Sequence, residues 1–215
     1  NASNYSKFTL QNCDIETVRV PGVINSGLLF NGTGNYAVYD YHNYIDINTL
    51  ALSGANISVN CWVKIPSNVE VGSHYTILTN GYDGGVSSGV LFELYASDYY
   101  SNGAMYLSTG LSADSSSYIT VTNTLIPIND NEWHNVGFTL GKPNGQTGNG
   151  NVSLCLDGVI SNVDVVVGPF AVGGGSLNQV YLGCSGATTN FFRGGLDELR
   201  IYAKELSARE IAILY

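Results

Sequence analysis

From Leu28 onward the chain alternates short apolar stretches with Gly, Asn, Asp, Ser and Pro, and helical periodicity is nearly absent. In Ile57 to Val63 the odd positions are Ile, Val, Cys and Val, while the even ones are Ser, Asn and Trp. An extended segment with that period has one apolar face and one polar face carrying an aromatic, as a strand covering a core does. Similar runs predict strands at Gly27–Phe30, Ala37–Val38, Ile57–Ile65, Tyr75–Thr79, Val90–Ala96 and Ala104–Ser108. Further strands are predicted at Tyr118–Leu125, His134–Leu140, Asn151–Leu156, Val180–Leu182 and Leu196–Tyr202. Asp157-Gly158 marks a two-residue hairpin, because both residues tolerate positive φ. Gly141 to Gly150 reads as a surface loop between strands. The one helical signal is Ser207-Ala208-Arg209-Glu210, a capping box followed by Ile211 and Leu214 on one face. The expected fold class is all-β, an antiparallel sandwich of two sheets.

The 215 residues suit one all-β domain, 1–215, in which 1–27 is an edge strand or an N-terminal extension. Only 12% of residues are charged, while Gly (26) and Tyr (15) are abundant, so uncharged polar loops are implied. A formal charge of -9, with Lys and Arg scattered rather than clustered, disfavours nucleic acid and anionic membrane as partners. Apolar runs fall far short of the roughly 20 residues of a membrane helix, so no membrane insertion is expected. Asn1 is not a start methionine and no signal-like segment follows, so a secretion signal is expected to be removed or to lie outside this sequence. Cys13, Cys61, Cys155 and Cys184 lack zinc-ligand spacing. They leave disulfide pairing open, since Cys61 also fits a small buried hydrophobe.

The order of several motifs resembles the laminin G-like jelly roll of the concanavalin A-like lectin/glucanase superfamily. These are Leu29-Phe30-Asn31-Gly32 with Tyr36-Ala37-Val38, Ile57 to Val63, Glu132-Trp133-His134-Asn135-Val136, Leu156-Asp157-Gly158, and Gly194 to Tyr202 followed by Leu206 to Ile211. The likeness covers about Leu28 to Tyr215. It implies a jelly-roll sandwich and a binding module of an extracellular, secreted or cell- or virion-surface protein, many such modules taking carbohydrate and some holding a structural calcium.

Strand alternation places Asp197 on the face of Leu199 and Ile201, toward the core. A carboxylate there needs a cation or several hydrogen-bond donors. One expectation is a structural Ca2+, the hard cation that carboxylate and carbonyl oxygens suit; the resemblance adds Asn31 and Gly32 as its further ligands. The alternative is that backbone N–H groups cap Asp197 with no metal.

No catalytic residue is assigned. Gly85-Val86-Ser87-Ser88-Gly89 matches G-x-S-x-G but sits between a loop and a strand, not between strand and helix. Gly32 to Ala37 imitates a dinucleotide fingerprint with no helix after it. Glu93 and Asp98 are five apart and fall on opposite faces of a regular strand, unlike a glycosidase pair. His134 reads as structural. Carbohydrate sites combine aromatic surfaces with carboxylates and amides, and that mixture occurs in the loops and strand carrying Tyr82, Asp83, Glu93, Tyr95, Tyr99 and Tyr100. The expectation is a noncatalytic, lectin-like adhesion module that takes a neutral glycan at these residues. The alternative is a structural or protein-interaction sandwich of a surface, toxin or tail-fibre protein, and a glycan-active enzyme is the third reading.

Overall fold

The computed structural model describes residues 8–40, 56–70, 72–80, 89–96, 105–112, 118–123, 127–141, 150–167, 179–186 and 188–215. Among them are fourteen strands in two antiparallel seven-stranded sheets. In chain order the strands are β1 (Thr9–Gln11), β2 (Arg19–Pro21), β3 (Ser26–Asn31), β4 (Tyr36–Asp40), β5 (Ile57–Lys64), β6 (His74–Asn80) and β7 (Gly89–Ala96). Then come β8 (Met105–Ser112), β9 (Tyr118–Asn123), β10 (Trp133–Gly141), β11 (Gly150–Leu156), β12 (Val159–Val167), β13 (Gln179–Leu182) and β14 (Arg193–Tyr202). A short helix α1 (Ile15–Val18) joins β1 to β2, and α2 (Ala208–Leu214) follows β14. One sheet has the order β1-β4-β13-β6-β7-β8-β9 and the other β12-β11-β10-β5-β14-β3-β2.

The N-terminal segment is an edge strand twice over. β1 pairs with β4 at the edge of the first sheet, and β2 pairs with β3 at the edge of the second. Between them Asp14 caps α1 by accepting from the Glu16 N–H. The hairpin turn is as expected, with Asp157 at φ 47° and Gly158 at φ 76°. So is the capping box: Glu210 N–H donates to Ser207 Oγ and Ser207 N–H to Glu210 Oε2.

The two inner faces meet in one core. Ile57, Val59, Cys61, Val63 and Ile65 from β5 and the residue after it pack with Val136, Phe138 and Leu140 of β10 and with Ile77, Phe30 and Phe192. Each such burial stabilises by roughly 1.5–3 kcal/mol. The residues Val136 and Cys61, Phe138 and Val59, and Leu140 and Ile57 are cross-strand partners, so alternation delivers them to the same side. Cys13, Cys61 and Cys155 are free thiols, and burial pushes the Cys61 thiol well up and that of Cys155 up to about 12.

The even residues of β5 line the outer face, and the C-terminal segment covers Ser58 and Trp62. Ser58 Oγ donates to the Lys204 carbonyl (2.8 Å) and accepts from the Leu206 N–H (3.0 Å). Asn60 and Asn135 exchange two amide hydrogen bonds, at 2.7 and 3.2 Å, in a fully buried pair. Trp62 stacks on Tyr215 with ring centroids 5.6 Å apart. Lys64, the last of the row, has no such cover and faces a groove.

Candidate functional site

The groove has a volume of about 700 Å³, within the range of small-molecule sites. Four residues in register across four strands cross its floor: Leu29 of β3, Gly195 of β14, Lys64 of β5 and Trp133 of β10. The next row adds Asn31 and its partner Arg193. Thr17 and Val18 of α1 and Val20 of β2 form one wall, and Pro66 and Asn131 lie on the other lining.

Trp133 shapes this surface because glycine lets it. A Cβ built on Gly195 would stand 2.7 Å from Trp133 Cη2, and one on Gly27 would stand 3.4 Å from the same atom. Trp133 is on β10, two strands or about 9–10 Å from β14, so its side chain reaches across the intervening β5 toward Gly195. Its long axis therefore runs across the sheet, and the half-buried ring gives the groove an aromatic surface.

Arg193 is held by Asn68, donating from Nη1 to its carbonyl (2.9 Å) and from Nη2 to its Oδ1 (3.2 Å). Asn31 Oδ1 accepts from the N–H groups of Thr33, Gly34 and Asn35 at 2.9, 3.2 and 3.3 Å. That oxygen organises its own turn, and the exposed amide nitrogen is the end left for the groove.

Asp197 is buried, but not on the core side. It pairs with Trp62 on the outer face, and Glu198 at φ 50° forms a bulge between Asp197 and Arg200. The extra residue restores Leu199 and Ile201 to the core and breaks the simple alternation that had placed Asp197 with them. Its carboxylate is capped by backbone donors, Oδ2 accepting from the Ile24 N–H (3.0 Å) and Oδ1 from the Glu198 N–H (2.8 Å). Gly22 makes room for it, since a Cβ there would lie 2.3 Å from Oδ2.

The Asn31, Gly32 and Asp197 set does not fit one calcium ion. Asn31 pairs with Arg193, four residues from Asp197 along β14, a separation of about 13 Å. Two ligands of one Ca2+ lie within about 5 Å of each other, and the oxygens of both residues already accept from amides. Among the described residues no group of three or more His, Cys, Asp or Glu side chains could hold a metal.

His134 lies in β10, its Nδ1 2.8 Å from Asp157 Oδ2 and its Nε2 3.1 Å from Asp130 Oδ1. Burial disfavours its charged form, but the hydrogen bonds and charges of Asp157 and Asp130 outweigh burial and raise its pKa. Both ring nitrogens are occupied, so this is a clamp joining the start of β10 to the hairpin turn. Asp157 also accepts from the Asn135 N–H at 2.9 Å.

Of the tyrosine-rich set, Tyr82, Asp83, Tyr99 and Tyr100 lie outside the described residues. Glu93 and Tyr95 are on β7, in register with Thr76 and His74 of β6 and with Ser108 and Tyr106 of β8. The groove is on the other sheet. Trp133 belongs to the Glu132 to Val136 motif, and the sequence alone assigns it no role. The signal was present: Trp133, at the opposite parity to the apolar Val136, Phe138 and Leu140, and the Gly194-Gly195 pair.

Two antiparallel seven-stranded sheets packed on one core, with a short helix closing the C-terminus, define a jelly-roll sandwich. A laminin G-like family model, described as the concanavalin A-like lectin/glucanases superfamily, matches residues 39–212, and the chain belongs to that family. No curated protein matches the sequence. Among solved structures, the binding domain of Paraclostridial mosquitocidal protein 1 superposes with a TM-score of 0.64 at 14% identity, over 99% of this chain and 47% of its own. The receptor-binding domain of botulinum neurotoxin mosaic serotype C/D, with tetraethylene glycol on its Hcn sub-domain, gives 0.60 at 17% identity, over 99% of this chain and 46% of its own. The binding domain of botulinum neurotoxin DC in complex with SialylT gives 0.61 at 16% identity, over 99% and 47%. The chain thus spans about half the length of these structures, and the likeness is one of fold.

Proposed function

We propose that the chain is a noncatalytic, lectin-like glycan-binding module of a larger extracellular or surface protein. The observation that carries the reading is the Trp133 indole laid across Gly195, an aromatic surface in a groove rimmed by amide and cationic side chains. A sugar ring presents C–H faces to an aromatic and hydroxyls to such a rim. Membership of a superfamily named for lectins and glucanases, and fold neighbours that include a complex with SialylT, support the same class of ligand.

The net charge of -9 favours glycans without dense negative charge. Tyr82, Asp83, Glu93, Tyr95, Tyr99 and Tyr100 remain proposed contacts for a neutral glycan. Open sites of this kind bind weakly one at a time, so adhesion would draw on several copies.

Screening the chain and a Trp133→Ala variant on a glycan array tests the proposal. Retention of a set of glycans, weakened in the variant, supports it; no retained glycan overturns it. A second reading, a protein-interaction or structural module, is favoured by the exposed Val159, Ile213 and Tyr215 (65%, 73% and 62%), with Tyr215 lying against the Gly158 turn. An empty array together with capture of a partner chain at these residues would establish it.

A further inference from the structure

We infer that the Trp133 groove selects an acidic saccharide unit, one carrying a single carboxylate, with Lys64 and Arg193 as its charge partners. The inference rests on the glycan-binding reading and specifies its ligand.

Lys64 pairs with Gly195, and Arg193 is two residues away on the same strand, so the two cations are diagonal neighbours on one face of the sheet. At that spacing the side chains are about 7 Å apart at their roots, and like charges so close repel. Both are half-buried and both line the groove, where repulsion is screened less than on an open surface. Among the described residues neither forms a salt bridge, whereas His134, Arg200 and Lys204 all do.

Their donors are also largely unspent. A guanidinium has five N–H donors, and the described bonds to Asn68 use two of them, fixing the plane of the group at the rim. The Lys64 ammonium has three. Asp197, two residues from Gly195 along β14, is on the adjacent row with both oxygens accepting from backbone amides. Glu16 and Glu132 neighbour groove residues but are exposed, where solvent screens them.

Two uncompensated cations beside an aromatic surface match a sugar ring with one carboxylate: the ring covers Trp133 and the carboxylate reaches the cations. A dense polyanion would meet the remaining negative surface, so the selection is for a single acid group. The global charge therefore describes the surface average, and the groove carries the opposite local sign.

Methyl β-D-glucuronide and methyl β-D-glucoside differ only in a carboxylate against a hydroxymethyl group. Titrating each into the full chain at low salt, followed by NMR, should give about tenfold tighter binding of the glucuronide. Lys64→Gln with Arg193→Gln should bring the two sugars to equal affinity, and raising the salt should narrow the gap. Equal affinities in the unsubstituted chain overturn the inference and leave the glycan-binding reading in place. A preference that survives the double substitution also overturns it, by locating the charge elsewhere. Binding of neither sugar overturns it, and the glycan array then decides the wider reading separately. Arg193→Lys with Lys64 intact is the control for folding, because it keeps the charge and should keep the preference.

Discussion

Trp133 and Gly195 are held in contact across an intervening strand, with the indole Cη2 only 2.7 Å from where a Cβ on Gly195 would stand. A methyl group there cannot share space with the ring, so Gly195→Ala should push the indole off the sheet. Overpacking of this kind costs about 1–3 kcal/mol. Thermal unfolding and the near-ultraviolet circular dichroism of tryptophan are the readouts. An unchanged melting temperature with an unchanged tryptophan signal would contradict the contact.

The His134 clamp has a definite pH signature. Its pKa is raised in the folded chain, so its contribution is fully present below the ordinary histidine value of about 6.5 and is lost as pH rises through the raised value. Burial alone would raise the Asp130 pKa, but the Glu132 N–H and His134 outweigh it and hold it low. Its contribution is thus present above about pH 4 and lost as pH falls through the lowered value. His134→Gln should therefore cost most between about pH 4 and 6.5, on the order of 1 kcal/mol given the exposure of Asp130. Denaturant unfolding across pH measures it, and a cost that grows above pH 8 would refute the clamp.

Asp197 pins the turn between β2 and β3 by accepting from backbone amides. Asp197→Ala should lower stability by about 1–3 kcal/mol, leaving the Ile24 and Glu198 amides without their acceptor. Calcium and a chelator should give the same loss in melting temperature. A loss seen only with calcium present would restore the metal reading.

The C-terminal segment belongs to the fold. Leu206 and Ile211 are buried with Cys155, and Ser58 holds the chain entering α2. A chain ending at Lys204 should lose on the order of 3–6 kcal/mol from those two side chains, a large part of a typical domain's margin. Cooperative unfolding at an unchanged denaturant midpoint would show otherwise.

Much of the architecture was legible because one face of each strand meets the core and period 2 writes that into β5 and β10. The capping box at Ser207 and the turn at Asp157 were legible because they are local chemistry. Asp197 was misplaced because a bulge at Glu198 shifts parity, and nothing in Leu196 to Tyr202 marks a non-glycine residue at positive φ. β1 and β2 are three residues each, too short to show alternation. The groove was illegible for another reason: Lys64, Trp133 and Arg193 are far apart in sequence, and only register brings them together.

The chain has two tryptophans, Trp62 stacked under Tyr215 and Trp133 in the groove, so their indole N–H resonances form a site probe with a built-in control. Titrating a glycan retained on the array should move the Trp133 resonance and leave that of Trp62 in place. Saturating binding with the Trp133 resonance unmoved would contradict the groove as the glycan site.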